Sequence, residues 1–269
     1  MSEGKVTFSV FTKPWKMPLA ELGRFVKSLG FDAIELPVRP GYQVLPENVG
    51  RDLPAAATEL ADCGVTIASV AGPIDEPTIA ACGEAGVATI RICVGVGDEG
   101  YMAGEARLQR EFDALIPVLD EHGVRIGIQN HQGRNDVCNA MGVRHLIEQY
   151  DPKHVGAVWD VGHNGLCGEE PNAAVDILWA HLCMVNFKNA LWQRTNGPEA
   201  EWAEWRPYWT SGRHGLASWP RAASELSGRG YSGVVCLTAE YNDHDAVNRL
   251  IADDIAFAKS LFAQVVTNE

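Results

Sequence analysis

Residues Val155–His163 read VGAVWDVGH, and what this stretch becomes decides the fold. Its opening residues have the composition of a buried strand, and they run straight into an acid, a turn glycine and a histidine. In a barrel of parallel strands, the C-terminal end of each strand opens onto the face that carries the chemistry. A carboxylate placed there, with an imidazole three residues on, can hold a cation and handle a proton. A plainer outcome uses the same letters: Asp160 caps the next turn and His163 is an ordinary loop histidine, since Asp-x-Gly is common turn composition. The other strands tip the balance, because several of them end in the same way.

Outward from this strand the pattern repeats in both directions. Upstream strands are predicted at Val6–Thr12, Phe31–Pro37, Val65–Val70, Val87–Val94 and Val124–His131, and downstream ones at His181–Asn189 and Gly233–Tyr241. Between them lie segments of helical spacing, as in Leu19–Leu29, where apolar residues fall at 19, 22, 25, 26 and 29. The others are about Asp52–Cys63, Ile79–Ala85, Glu105–His122, Met141–Tyr150, Ala173–Ala180, Ser218–Ser227 and Asp245–Phe262. A helix–Gly–strand junction recurs at Gly30, Gly64, Gly86, Gly123 and Gly230, where glycine supplies the helix stop. Strands alternating with helices indicate an α/β fold with a parallel sheet. Eight such units in 269 residues predict a single (β/α)8 barrel, a TIM barrel, as one domain over residues 1–269. The alternative, an open doubly wound sheet, lacks its phosphate loop: no strand is followed by Gly-x-Gly-x-x-Gly.

Composition narrows the function classes. With 46% apolar residues the chain can bury a sizeable core, yet no apolar run reaches the ~18 residues of a membrane span. The first strand starts so near Met1 that no signal peptide is expected. Seven cysteines are scattered without a Cys-x-x-Cys pair, which fits a reducing cytoplasm. A net charge of −13 argues against nucleic acid as a partner.

The strand ends carry the candidate chemistry. Glu35 ends the second strand, Gln129 and His131 the fifth, Asp160 the sixth, Asn186 and Lys188 the seventh and Glu240 the eighth. Period-two alternation puts Gln129 with His131, and Asn186 with Lys188, on one strand face. Each has a structural explanation taken singly: Glu35 can pair with Arg39, and Lys188 with Glu240. Convergence of so many polar groups on one barrel mouth is harder to explain by packing alone.

With these residues in place, the chain resembles the xylose-isomerase-like TIM barrels: sugar isomerases, sugar 3-epimerases, inosose dehydratases and relatives. The resemblance spans nearly the whole chain and rests on GFDAIEL, IGIQNH, WDVGH, VNFKN, GRHGLASW and LTAEY. It implies one divalent metal held by Glu, Asp, His and Glu on the fifth to eighth strands. The corresponding residues are Gln129, Asp160, Asn186 and Glu240, so two strong ligands are replaced by amides. An all-oxygen set with two charges suits Mg2+, Mn2+ or Ca2+, weakly bound, or leaves the site without metal.

The resemblance also implies two glutamates passing a proton between adjacent carbons, and Gln129 removes one of them. The reaction expected is α-proton abstraction on a small keto-sugar or polyol-derived carbonyl compound, in the manner of an isomerase or epimerase. Its rival is β-elimination by a lyase or dehydratase, with Glu240 as base, His163 as acid and Lys188 or a metal stabilising the enolate. His131 and Lys188 stand as alternative bases. A sugar-binding barrel without catalysis is the reading from another class.

Specificity is expected from Glu35 and from the long loop Ala190–Leu216 with the segment after it. Candidate substrate contacts are Trp192, Arg194, Trp209, Arg213 and His214, because aromatic faces stack on sugars and barrel loops build specificity. The same aromatics also suit loop packing or a subunit contact, which leaves room for a homo-oligomer.

Overall fold

The apolar runs become strands because each is short, rich in β-branched residues and bounded by a helix stop on one side and a polar loop on the other. The computed structural model describes residues 6–264. Its elements are β1 (Thr7–Phe11), α1 (Leu19–Ser28), β2 (Ala33–Pro37), α2 (Val49–Asp62), β3 (Thr66–Ala71), α3 (Glu76–Glu84) and β4 (Thr89–Cys93). They continue with α4 (Tyr101–His122), β5 (Arg125–Gln129), α5 (Ala140–Ile147), β6 (Val155–Asp160), α6 (Val161–Leu166), α7 (Pro171–Leu178) and β7 (Leu182–Phe187). The last are β8 (Asn189–Arg194), β9 (Trp205–Thr210), α8 (Trp219–Gly228), β10 (Val234–Leu237) and α9 (Val247–Gln264).

Eight parallel strands close in the order β1-β10-β7-β6-β5-β4-β3-β2, with β1 paired to both β10 and β2. This is the predicted TIM barrel, and the five junction glycines all take positive φ. Two features lie outside the sequence reading. The long loop folds its ends into an antiparallel hairpin, β8 with β9, from Asn189↔Thr210 to Arg194↔Trp205. A six-residue helix, α6, starts directly on Asp160.

Alternation along each strand divides the core in two. Outward residues such as Trp159 and Ile128 pack under the helices in the large apolar layer. Inside the barrel, Phe11, Ala71, Val158, Met184 and Cys236 form a small plug. Above that plug, toward the C-terminal mouth, the inward positions turn polar: Glu35, Arg91, Gln129, Asp160 and Asn186 are all buried. Buried charge is costly unless paired, so the charged members of this layer need partners within it.

Asp254 on α9 ties the outer wall to the hairpin. Its carboxylate accepts from the Gly212 N–H at 2.9 Å and from the Tyr241 hydroxyl at 2.9 Å. Burial outweighs those bonds and raises its pKa to about 6. A carboxyl whose folded pKa exceeds its unfolded value binds its proton more tightly when folded. Stability therefore falls as pH rises from about 4 to about 6, by roughly 2–3 kcal/mol, and then levels. Asp254→Asn is expected to flatten that part of a melting-temperature profile; an unchanged slope would assign it to other groups.

Candidate active site

The inward polar residues form a hydrogen-bonded row across the barrel. Glu35 Oε1 accepts from Arg91 Nε at 2.8 Å and Oε2 from Nη2 at 2.6 Å, with Ser69 Oγ donating to Oε1 at 3.0 Å. Arg91 Nη1 donates to Gln129 Oε1 at 2.7 Å, and Gln129 Nε2 donates to Asp160 Oδ2 at 2.7 Å. Arginine has no acceptor, so the amide orientation of Gln129 is fixed: oxygen toward Arg91, nitrogen toward Asp160. Glu35 is thus closed off by a bidentate pair with Arg91, not Arg39, and is fully buried.

Asp160 realises the plainer outcome of its motif while keeping its place at the strand end. Its Oδ1 accepts from the N–H groups of Gly162 at 2.9 Å and His163 at 3.0 Å, capping α6. Asn130 clamps its backbone on both sides, at 2.7 and 3.1 Å. Burial raises its pKa, against the nearby Lys188 ammonium and the cap bond from His163.

A second row runs above the first. His131 Nδ1 meets Asp136 Oδ2 at 2.6 Å. The His131 ring lies 4.3 Å from that of His163, which lies 4.9 Å from Trp209. Lys188 Nζ sits 3.7 Å over the Trp209 ring and 2.6 Å from Glu240 Oε2, while Lys13 binds the other Glu240 oxygen. Ala239, immediately before Glu240, has φ of 51°, a left-handed conformation uncommon for alanine that marks a constrained turn.

His163 is fully buried, and its Nδ1 accepts from the Gln132 N–H at 2.9 Å, so the proton sits on Nε2. Burial, then Lys188, His131 and Arg91, hold it neutral far below the imidazole range. Neutral, it carries an N–H at Nε2 where the sequence reading expects an acid. Burial opposes ionisation of Glu240, but Lys188 and Lys13 outweigh it and lower its pKa to about 2. A carboxylate held that low is a poor base, which weakens its expected role.

The loop candidates separate cleanly. Trp209 reaches the site. Trp192 donates its indole N–H to Leu166 O at 3.0 Å and pins the hairpin to α6. Arg194 donates to Asn196 and Gly197 within the hairpin, and Arg213 lies over Phe257 of α9 at 3.7 Å. His214 is exposed and bonds only through its backbone, to Ser211. Trp202 and Trp205 are 78% and 56% exposed. Alanine at either is expected to leave melting temperature and kinetics within error, whereas Trp192→Ala should lower melting temperature by several degrees; the reverse order would place the hairpin tip in the site.

Sequence reasoning missed Arg91, Lys13, Asp136 and Asn130. Arg91 carried a signal, a charged residue inside the apolar strand TIRIC, which foretells a buried partner. A cleft of about 400 Å³ opens beside it, lined by Val38, Arg39, Pro40, Gly72 and Cys93 among others.

The four expected metal ligands do not fit a divalent cation. Gln129 turns an N–H, not its oxygen, toward Asp160; both Asp160 oxygens are engaged; both Glu240 oxygens are held by lysines. Only Asn186, whose buried amide has no partner at either atom, is uncommitted. Among the described residues no three His, Cys, Asp or Glu side chains converge as a metal would require.

Fold and mouth together define a parallel barrel with its polar machinery at the C-terminal strand ends. The chain belongs to the xylose isomerase-like TIM barrel family, whose sequence profile matches residues 24–261. No curated protein matches it. Similar solved structures include a D-psicose 3-epimerase from Clostridium cellulolyticum H10, at 12% identity and TM-score 0.73, covering 96% of this chain and 99% of that one. A 3-keto-D-glucoside 4-epimerase from E. coli gives 13% identity and TM-score 0.71, covering 95% and 100%. A probable 3-DHS dehydratase from Bacillus anthracis gives 16% and 0.72, covering 94% and 99%. At these identities the likeness is one of fold.

Proposed function

We propose that this protein is an enzyme that removes the α-proton of a small polyhydroxylated carbonyl compound, as a sugar isomerase or epimerase does, with His131 as the base. The observation that carries this is the Asp136–His131 pair. Asp136 accepts the Nδ1 proton, which leaves the lone pair on Nε2 and orients the ring. The loop between them is fixed by backbone bonds, His131 N to Val137 O at 3.0 Å and Val137 N to Val94 O at 3.2 Å. Nε2 takes the proton, and the C–H electron pair becomes a C=C bond as the carbonyl π pair moves onto oxygen. Trp209 presents an aromatic surface beside His163 and Lys188.

A second reading is β-elimination by a lyase, favoured by Gln129. With that carboxylate gone, a second base for reprotonation is lacking, whereas elimination needs only one. The cytoplasm is the compartment we propose: the seven cysteines are unpaired, and among the described residues no helix is long and apolar enough to cross a membrane. The test is proton NMR in D2O with a panel of ketoses, 3-keto-glycosides and keto-cyclitols. Deuterium at the α-carbon supports proton abstraction, and loss of a β-hydroxyl selects the lyase. Saturable binding of a ketose without deuterium uptake would overturn the proposal in favour of a binding barrel.

A further inference from the structure

We infer that this site works without a divalent metal, and that the Lys188 ammonium supplies the positive charge at the substrate's carbonyl oxygen; the lysine's role rests on the proton-abstraction reading, the lack of metal does not. The polar layers carry their own cations. Arg91 pairs with Glu35, Lys188 and Lys13 each hold one oxygen of Glu240, and Asp160 accepts from the Gln129 amide and two backbone N–H groups. A divalent ion would have to displace a lysine from each Glu240 oxygen, or an N–H donor from each Asp160 oxygen, that it sought.

Arg91 is the residue that bars the metal. By holding Gln129 Oε1 it keeps the amide nitrogen against Asp160, so the corner shared by β5 and β6 offers a donor where a cation needs an acceptor. Restoring a carboxylate at 129 would not reopen this corner. The new oxygen would be taken by Arg91 on one side and would stand against Asp160 on the other.

Lys188 is built to take over. Its side chain is 6% exposed, its ammonium is held between Glu240 and the face of Trp209, and its carbonyl oxygen accepts from Trp219 Nε1 at 3.1 Å. Gly162 packs so closely that a Cβ there would lie 2.8 Å from the Lys188 carbonyl. The lysine backbone is thus wedged between α6 and α8. On the same strand face, two residues earlier, the unpartnered Asn186 amide offers a further donor for a substrate oxygen. In the step, the α-proton passes to His131 Nε2 and the carbonyl oxygen becomes an enolate oxygen. Lys188 hydrogen-bonds that oxygen, keeps its proton and forms no covalent bond.

The test uses the full chain purified without chelator. Expected are far less than one metal ion per chain by mass spectrometry and no saturable heat when Mn2+ is titrated, for both the parent and Gln129→Glu. Deuterium uptake should be indifferent to EDTA, and Lys188→Met should slow it about 10²-fold with Lys188→Arg recovering part. One bound metal per chain, saturable Mn2+ binding by either protein, or uptake lost to EDTA and restored by Mn2+ would overturn the inference. Uptake by Lys188→Met at the parent rate would overturn the lysine's role. Should no compound exchange at all, the proposed reaction and the lysine's role fall, while metal content and calorimetry still decide whether the site takes a metal.

Discussion

Arg91→Leu is expected to destabilise the protein by about 3–5 kcal/mol, the loss that follows when one partner of a buried ion pair is removed. Glu35 would be left fully buried with Ser69 Oγ as its remaining side-chain donor, and Gln129 would lose the bond that fixes its amide. In a chain of this size the melting temperature should fall by roughly 10 °C. The paired variant Arg91→Met with Glu35→Leu removes both charges, and it should recover most of the loss, because isolated burial rather than the missing attraction dominates the cost. Urea unfolding of the three proteins measures this. A single variant within about 1 kcal/mol of the parent would mean that the Glu35–Arg91 pair is not a structural anchor.

The second large effect is on turnover. Gly133 lies where a Cβ would stand 2.1 Å from Asp136 Oδ2 and 3.5 Å from His131 Nδ1. Gly133→Ala therefore pushes the Asp136 carboxylate off the imidazole without altering either residue, and the carboxylate, the end of a side chain, can swing away at little cost in stability. Turnover should drop by about 10²-fold, and Asp136→Asn should do the same, since each disturbs a base worth about 10²–10⁴. Melting temperature should hold within a few degrees. Unchanged turnover in both variants would detach Asp136 from the mechanism.

The barrel was legible because its signals are local and repeated: a short apolar strand, an amphipathic helix and a glycine stop, many times over. The polar ring was legible too, since alternation alone places Gln129 with His131 and Asn186 with Lys188. Partners were not. Sequence proximity offers Glu35 the neighbouring Arg39, but in a closed barrel inward side chains from β2 and β4 meet across the interior, and Arg91 is the partner. The orientation of the Gln129 amide, on which the metal question turns, depends on that same arginine. Asp136 gives no sign in sequence of its contact with His131, because that approach is made by a loop closing on Val94 and Val96. The surroundings of Glu240 were hidden for a like reason: it ends its strand as expected, yet Lys13, which no pattern links to it, binds its carboxylate and helps hold its pKa at about 2.

The central claim is that His131, not Glu240, takes the α-proton. Solvent deuterium uptake into a bound hydroxyketone, followed by NMR for His131→Gln and Glu240→Gln side by side, tests it most directly. The account predicts that His131→Gln abolishes uptake, while Glu240→Gln, which keeps the shape and an acceptor for one lysine, retains it within about tenfold. Uptake that survives in His131→Gln and vanishes in Glu240→Gln would contradict the account.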